Sequence, residues 1–128
     1  MVLDTSVLVA ILLAEDDRRT LLEKMGSAPR LLLSAGSLIE TGIVLMRHDA
    51  GDYEHKLDPF LERAGIEIVP VDYAQGLVAR EAYRRFGKGR DRAGLNFGDC
   101  FSYALAIATG EPLLFKGNDF SRTDVAVA

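Results

Sequence analysis

Residues 1–13 read MVLDTSVLVAILL: a short apolar start, an aspartate at position 4 followed by Thr5 and Ser6, and then an almost unbroken apolar run. A carboxylate buried without compensation costs several kcal/mol or is forced to take up a proton. An acid at the hinge between two hydrophobic segments therefore asks for a partner. Val7, Leu8, Ile11 and Leu12 recur at helical spacing, and Thr5 or Ser6 is suited to capping, so the stretch predicts strand, carboxylate, helix.

The same alternation continues outward. A second helix is expected from about Asp16 to Met25, stopped by Gly26, and PRLLLSA (29–35) predicts a strand over Arg30–Leu33. Ser34 or Ser37 can cap a helix carrying Leu38, Ile39, Ile43, Val44, Leu45 and Met46, which ends around RHDAGD (47–52). Tyr53, Leu57, Phe60, Leu61 and Ala64 then fall on one helical face, with Pro59 as its weak point and Gly65 as its stop. IEIVPV (66–71) predicts a strand, and Asp72 caps a helix whose buried stripe is Ala74, Leu77, Val78 and Ala82. Gly87, Gly89 and Gly94 mark 87–95 as a loop. Asn96 or Gly98 opens a helix with Phe101, Ala104, Leu105 and Ala108 on one face, closed by Gly110. PLLFK (112–116) is a further strand, GNDFSRTD (117–124) a loop, and VAVA (125–128) a candidate short edge strand.

Strands alternating with helices imply an α/β fold with a parallel sheet and helices on both faces, because parallel strands need long crossovers. The 128 residues suit one domain spanning 1–128, and 48% hydrophobic with 27% charged residues is ordinary for a globular chain. The apolar run Val7–Ala14 is too short to span a bilayer, and Asp4 stands where a signal peptide carries Lys or Arg, so the expected location is cytoplasmic. A single cysteine, Cys100, excludes an internal disulfide and a multi-cysteine zinc site, and reads as a core residue. A net charge of −4 offers nucleic acid no overall attraction. The exception is REAYRRFGKGRDR (80–92), where Arg80, Arg84, Arg85, Lys88, Arg90 and Arg92 are offset only by Glu81 and Asp91.

In parallel sheets the functional crevice lies beyond the carboxyl ends of the strands, and that rule sorts the acids. Asp4 follows the first strand, Asp119 follows PLLFK, and Asp99 sits in the first turn of a helix, so all three belong to one rim. Glu40 joins them, since its helical neighbours Gly36, Ser37, Ile43 and Val44 include no charge partner and its face reads as packed. Two carboxylates ~4 Å apart repel by ~4 kcal/mol at an effective dielectric of about 20. Four of them call for a cation or for protons. Oxygen ligands without His or Cys match Mg²⁺ or Mn²⁺, and such an ion suits phosphodiester hydrolysis by a metal-activated water. Arg84, Arg85, Lys88, Arg90 and Arg92 are candidates for phosphate contacts, and Ser6 and Asn96 for accessory polar roles, with capping as the alternative for both.

The stretches VLDTSVLVAIL (2–12), SLIETGIVL (37–45), LNFGDCFSYALA (95–106) and PLLFKGNDFSRTD (112–124) together resemble the PIN-domain ribonucleases, specifically the VapC toxins of toxin–antitoxin pairs. The resemblance implies a three-layer fold on a five-stranded parallel sheet, a four-acid pocket for Mg²⁺ or Mn²⁺, endoribonuclease activity on RNA, homodimerisation and inhibition by a VapB-type antitoxin. By motif, Asp4 and Asp99 are similar to the main metal ligands, with Glu40 the third acid and Asp119 the fourth. One departure is Gly117, where many relatives carry an acid, which leaves Asp124 as a substitute for Asp119.

Two rival readings remain at the level of sequence. A receiver-like phosphotransfer domain would use Asp4, Asp72 and Lys116 but leaves Glu40 and Asp99 unexplained. A non-catalytic binding module would use the acid pocket to hold a partner's arginine. His48 and His55 have no third ligand beside them and read as surface residues, and the hairpin bearing Tyr53, Leu57 and Phe60 is the expected protein-contact surface.

Overall fold

A computed structural model describes residues 1–128. The elements follow in the order β1 (Val2–Leu3), α1 (Thr5–Leu12), α2 (Arg18–Gly26), β2 (Leu31–Ser34), α3 (Ala35–Met46), α4 (Leu57–Ala64), β3 (Ile66–Val69), α5 (Tyr73–Phe86), α6 (Asp99–Thr109) and β4 (Leu113–Leu114). Short 3-10 turns at Glu54–Lys56 and Asp119–Arg122 precede α4 and follow β4. The strands form one parallel sheet in the order β3-β2-β1-β4, with Val2 opposite both Leu32 and Leu113. No helix is long and apolar enough to cross a membrane.

Because successive strand residues face opposite sides, the sheet divides its leucines between two cores. Leu3, Leu31, Leu33 and Leu114 pack with Val7, Leu8 and Ile11 of α1, Leu45 of α3, and Leu57 and Leu61 of α4. Val2, Leu32 and Leu113 pack on the other side with Ala82 of α5 and Tyr103, Leu105 and Ala106 of α6. Local chemistry explains the helix ends. Asp4, Ser34 and Asp72 cap α1, α3 and α5 through side-chain oxygens that accept from Ser6, Gly36 and Gln75 amides. Pro59 is tolerated because it lies in the first turn of α4, where amides have no intrahelical partner.

Several expectations are corrected. The sheet has four strands instead of five, and VAVA contributes only an isolated bridge between Val127 and Leu113. Val125 is buried in the α5/α6 core, so the chain reaches the free edge of β4 too late to add more. On α3 the residues turned inward are Ser37, Thr41, Gly42 and Leu45, while Ile39, Ile43, Val44 and Met46 are exposed. Small inward residues let α3 lie close to its neighbours, and the Thr41 hydroxyl is satisfied by donating to the Ser37 carbonyl at 2.7 Å. Leu57 is only 2% exposed, and Tyr53 and Phe60 pack against the same core, so this hairpin is interior and the exposed apolar surface belongs to α3 instead. Ala74, Leu77 and Ala108, placed in buried stripes by their spacing, face outward.

Asp124 fastens the segment after β4 to the helical layer. Its carboxylate accepts from the Tyr103 hydroxyl at 2.6 Å and from Arg85 at 2.8 Å. These bonds hold Asp124 below the usual carboxylate range, the Tyr103 bond most strongly, while burial and Asp124 push Tyr103 up to about 12. A carboxylate held low stabilises the fold above its unfolded pKa and loses that contribution as pH falls through the folded value. Asp124→Asn should therefore lower Tm by about 5 °C near neutrality, with the difference from the parent shrinking below pH ~4; an equal loss at both pH values would contradict the clasp.

Candidate active site

The order β3-β2-β1-β4 places β1 and β2 at the centre of the sheet. From β1 the chain steps first to β2 and β3 on one side, and returns only at the end to β4 on the other. The connection reverses direction at β1, and the carboxyl end of such a strand opens into a crevice. Asp4 is the residue at that mouth, its backbone amide donating to the Leu114 carbonyl at 3.0 Å.

Asp4 is 4% exposed and surrounded by neutral donors. One carboxylate oxygen accepts from the Ser6 amide at 2.9 Å and the Ser6 hydroxyl at 2.6 Å, and the other from the Ser102 hydroxyl at 2.7 Å. Ser102 gives its only hydroxyl proton to Asp4, so across the 3.1 Å Ser37–Ser102 contact Ser37 is the donor. A relay from α3 through α6 to the end of β1 thus fixes the carboxylate. The Ser6 oxygen also accepts from the Lys116 amide at 3.0 Å, tying the loop after β4 to the start of α1.

Glu40 projects from α3, half-buried, and accepts from the Thr5 hydroxyl at 2.8 Å. Burial raises it above the ordinary carboxyl range, Asp4's charge adds to the rise, and the Thr5 bond opposes it. Its carboxyl group lies over Gly98: a Cβ there would come 2.1–2.3 Å from the Glu40 carboxyl atoms. Glycine at 98 is required by this approach and not by backbone angles, which are helical.

Asp99 opens α6 at 8% exposure. Its carboxylate accepts from the Asn96 amide at 2.8 Å while the Asn96 side-chain oxygen accepts from the Asp99 amide at 2.9 Å, a reciprocal arrangement like a capping box. Burial above all, with smaller contributions from the charges of Asp4, Asp119 and Glu40, pushes Asp99 up to about 7 against the opposing Asn96 bond. Asp119 itself is exposed, at the start of the turn after β4. The charges of Asp4, Glu40 and Asp119 thus all act at Asp99, and none of the four acids is ion-paired.

The other sequence-derived candidates fall elsewhere. Asp124 is committed to Tyr103 and Arg85, and adds nothing to the rise at Asp99. Arg85 is held by Asp124, and Arg84 pairs with Glu81 at 2.6 Å, whereas Lys88, Arg90 and Arg92 are exposed without an ion pair. Asp72 is spent capping α5, and Lys116 pairs with Glu15 and Asp17. His48 stands edge-on to Tyr53 and His55 is exposed. Cys100 is buried, its thiol pushed up to about 11 by that burial. Sequence reasoning offered Thr5, Ser37 and Gly98 only as helix-start residues, not as partners of the acids, and passed over Ser102. Small polar residues within apolar helix faces were their only signal.

The donor set suits a hard divalent ion: carboxylate oxygens, no competing cation, and one acid driven toward protonation by burial and, less, by its acidic neighbours. No three His, Cys, Asp or Glu side chains form a preassembled metal cluster. That openness is compatible with Mg²⁺, which keeps several waters and takes only one or two protein carboxylates.

A PIN-domain model matches residues 1–126. The chain belongs to the PIN-domain family. This PIN domain is 52% identical over 126 residues to a protein of Mycolicibacterium smegmatis named Ribonuclease VapC, covering 98% of each chain. Its fold is that of the VapC structures. The crystal structure of Mycobacterium tuberculosis VapC20, described as a sarcin-ricin loop cleaving toxin, superposes with a TM-score of 0.79 at 19% identity, covering 99% of this chain and 97% of that one. A toxin–antitoxin complex from Klebsiella pneumoniae gives 0.72 at 14% identity over 99% and 95%.

A carboxyl group raised by folding destabilises the native state as pH climbs from its unfolded value, here 3.8, through about 7, and is harmless below that window. Without divalent ions, Asp99→Asn should raise Tm by about 5 °C at pH 8 and leave it unchanged near pH 4. A shift of equal size at both pH values in thermal melts would remove the charge argument.

Proposed function

We propose that this PIN domain is an endoribonuclease dependent on Mg²⁺ or Mn²⁺, acting as the toxin of a toxin–antitoxin pair. The observation that carries the reading is Asp99, without an ion pair and pushed up to about 7 by burial and by the charges of Asp4, Asp119 and Glu40. A divalent ion bound there would supply Lewis-acid polarisation of a phosphate oxygen and an activated water. Asp4 and Asp99 are the residues proposed to hold it, with Glu40 and Asp119 acting directly or through water.

The chain's own residues prepare that site. Ser6 and Ser102 aim the Asp4 oxygens, Asn96 orients Asp99, and Thr5 steadies Glu40. Asp99, held well above the usual carboxyl range chiefly by burial, would be favoured in its charged form by a bound cation. Lys88, Arg90 and Arg92 are free to draw phosphate toward a chain whose net charge is otherwise −4. The names of the relatives support ribonuclease chemistry, and the Klebsiella complex supports a toxin's pairing with a small antitoxin. A VapB-type antitoxin and a second copy of the chain are the proposed protein partners, for which Ile39, Ile43, Val44 and Met46 of α3 offer an exposed apolar face.

The deciding experiment is cleavage of defined RNAs by the purified protein with Mg²⁺ or Mn²⁺, with EDTA, and with Asp4→Asn and Asp99→Asn. Scission should require the ion and fall at least 100-fold in both variants. Cleavage surviving in the variants would reject the site, and a folded protein that cuts none of several RNA classes would leave the pocket as a receptor for a partner's arginine. A second variant addresses Glu40. Gly98→Ala should displace its carboxyl group and reduce cleavage at least tenfold while Tm changes little, because only the end of a flexible side chain has to move. Unchanged activity in that variant would remove Glu40 from the machinery.

A further inference from the structure

Phe97 lies two residues before Asp99 and is 78% exposed, yet its ring is not loosely held. It meets Phe101 edge to face, with centroids 4.9 Å apart and planes at 82°. Phe101 in turn presses on Gly36 so closely that a Cβ there would sit 2.4 Å from the ring. The first turn of α6 and the start of α3 thereby present a rigid aromatic surface to solvent beside the acid pocket.

On one side of that ring is a cleft of about 290 Å³. Ala79, Arg80 and Tyr83 of α5 form one wall; Phe97, Cys100 and Phe101 form the other. Arg80 makes no ion pair within the chain. Tyr83 lies close enough to Gly87 that a side chain there would meet its ring, and from Gly87 the chain runs into the loop carrying Lys88, Arg90 and Arg92. The groove on the other side of Phe97, walled by Ile39, Ile43 and Val44, holds Glu40 and no cation.

Aromatic faces combined with a guanidinium are the chemistry that holds an unstacked base, because every base offers a π face and arginine adds a cation–π or hydrogen-bonding contact. We infer that the α5/α6 cleft receives a nucleobase of single-stranded RNA, stacked on Phe97 with Arg80 alongside, next to the phosphate presented to the acids. The inference rests on the ribonuclease reading for its substrate class. The base seated there is one neighbouring the cleaved bond, since Phe97 and Cys100 bracket Asp99 in the chain. Duplex RNA keeps its bases stacked on each other and is excluded from the cleft.

The protein contains no tryptophan, so Phe97→Trp creates a single tryptophan reporter in the cleft, excited selectively over the four tyrosines. In an Asp99→Asn background with Mg²⁺ present, a short single-stranded RNA should quench that emission saturably, and the same RNA annealed into a duplex should not. Fluorescence anisotropy of labelled RNA should show binding weakened about tenfold by Phe97→Ala, restored to within about twofold by Phe97→Tyr, and weakened several-fold by Arg80→Gln. Unquenched tryptophan with RNA bound equally by Phe97→Ala would overturn the inference, as would absence of RNA binding by every variant. A change in sedimentation of Phe97→Ala without RNA, at unchanged RNA affinity, would assign the ring to a protein interface and overturn it too. Failure of metal-dependent cleavage in the parent while stacking persists would instead count against the nuclease reading alone.

Discussion

Carboxylates gathered at a site sheltered from water repel one another, and at the mouth of β1 no lysine or arginine offsets that repulsion. Asp4, Glu40 and Asp119, from three separate segments, all act on Asp99, whose burial together with their charges drives it up to about 7. Much of the surrounding architecture is intelligible as what makes such an arrangement tolerable. Neutral donors surround Asp4, amides and hydroxyls supply one bond each to Asp99 and Glu40, and the sheet buries enough leucine on both faces to carry the cost.

The donors are chosen for what they do not carry. A cationic partner would neutralise a carboxylate and remove its affinity for an incoming ion, as Arg85 does for Asp124 and Lys116 for Glu15 and Asp17. Hydroxyls orient without neutralising, and the Ser37–Ser102–Asp4 relay couples α3, α6 and β1 at the point where they must agree. Gly98 and Gly36 serve the same end by absence of a side chain, one leaving room for the Glu40 carboxyl group and the other for the Phe101 ring.

The alternation of elements was legible because apolar periodicity and caps act locally: Ser34 and Asp72 cap helices as their positions suggested, whereas α1 is capped by Asp4 in place of Thr5 or Ser6. Periodicity gave no inward face for α3, whose Leu38, Ile39, Ile43, Val44, Leu45 and Met46 lie all around the helix, and the structure buries Ser37, Thr41 and Gly42. An apolar stripe reports that a face is covered by something and does not say whether the cover is the chain's own. The hairpin at Tyr53, Leu57 and Phe60 was misjudged in the opposite sense for the same reason. The fifth strand was lost because β4 and the segment after it are too short for a ladder, which depends on where Val125 is buried.

By itself the sequence determined the strand–helix order and which acids fall at strand ends and helix starts, since these follow from spacing and from the chemistry of single residues. It also carried the motifs that mark a PIN domain. Tertiary structure alone decided which charges are spent and which remain free. Asp124, Asp72, Arg84 and Arg85 have partners, whereas Lys88, Arg90 and Arg92 do not, and pairing depends on distances between segments far apart in the chain. It likewise decided that Glu40 rests on Gly98 and that Phe97 stands exposed on a rigid support. These are contacts between elements, and no local pattern encodes them.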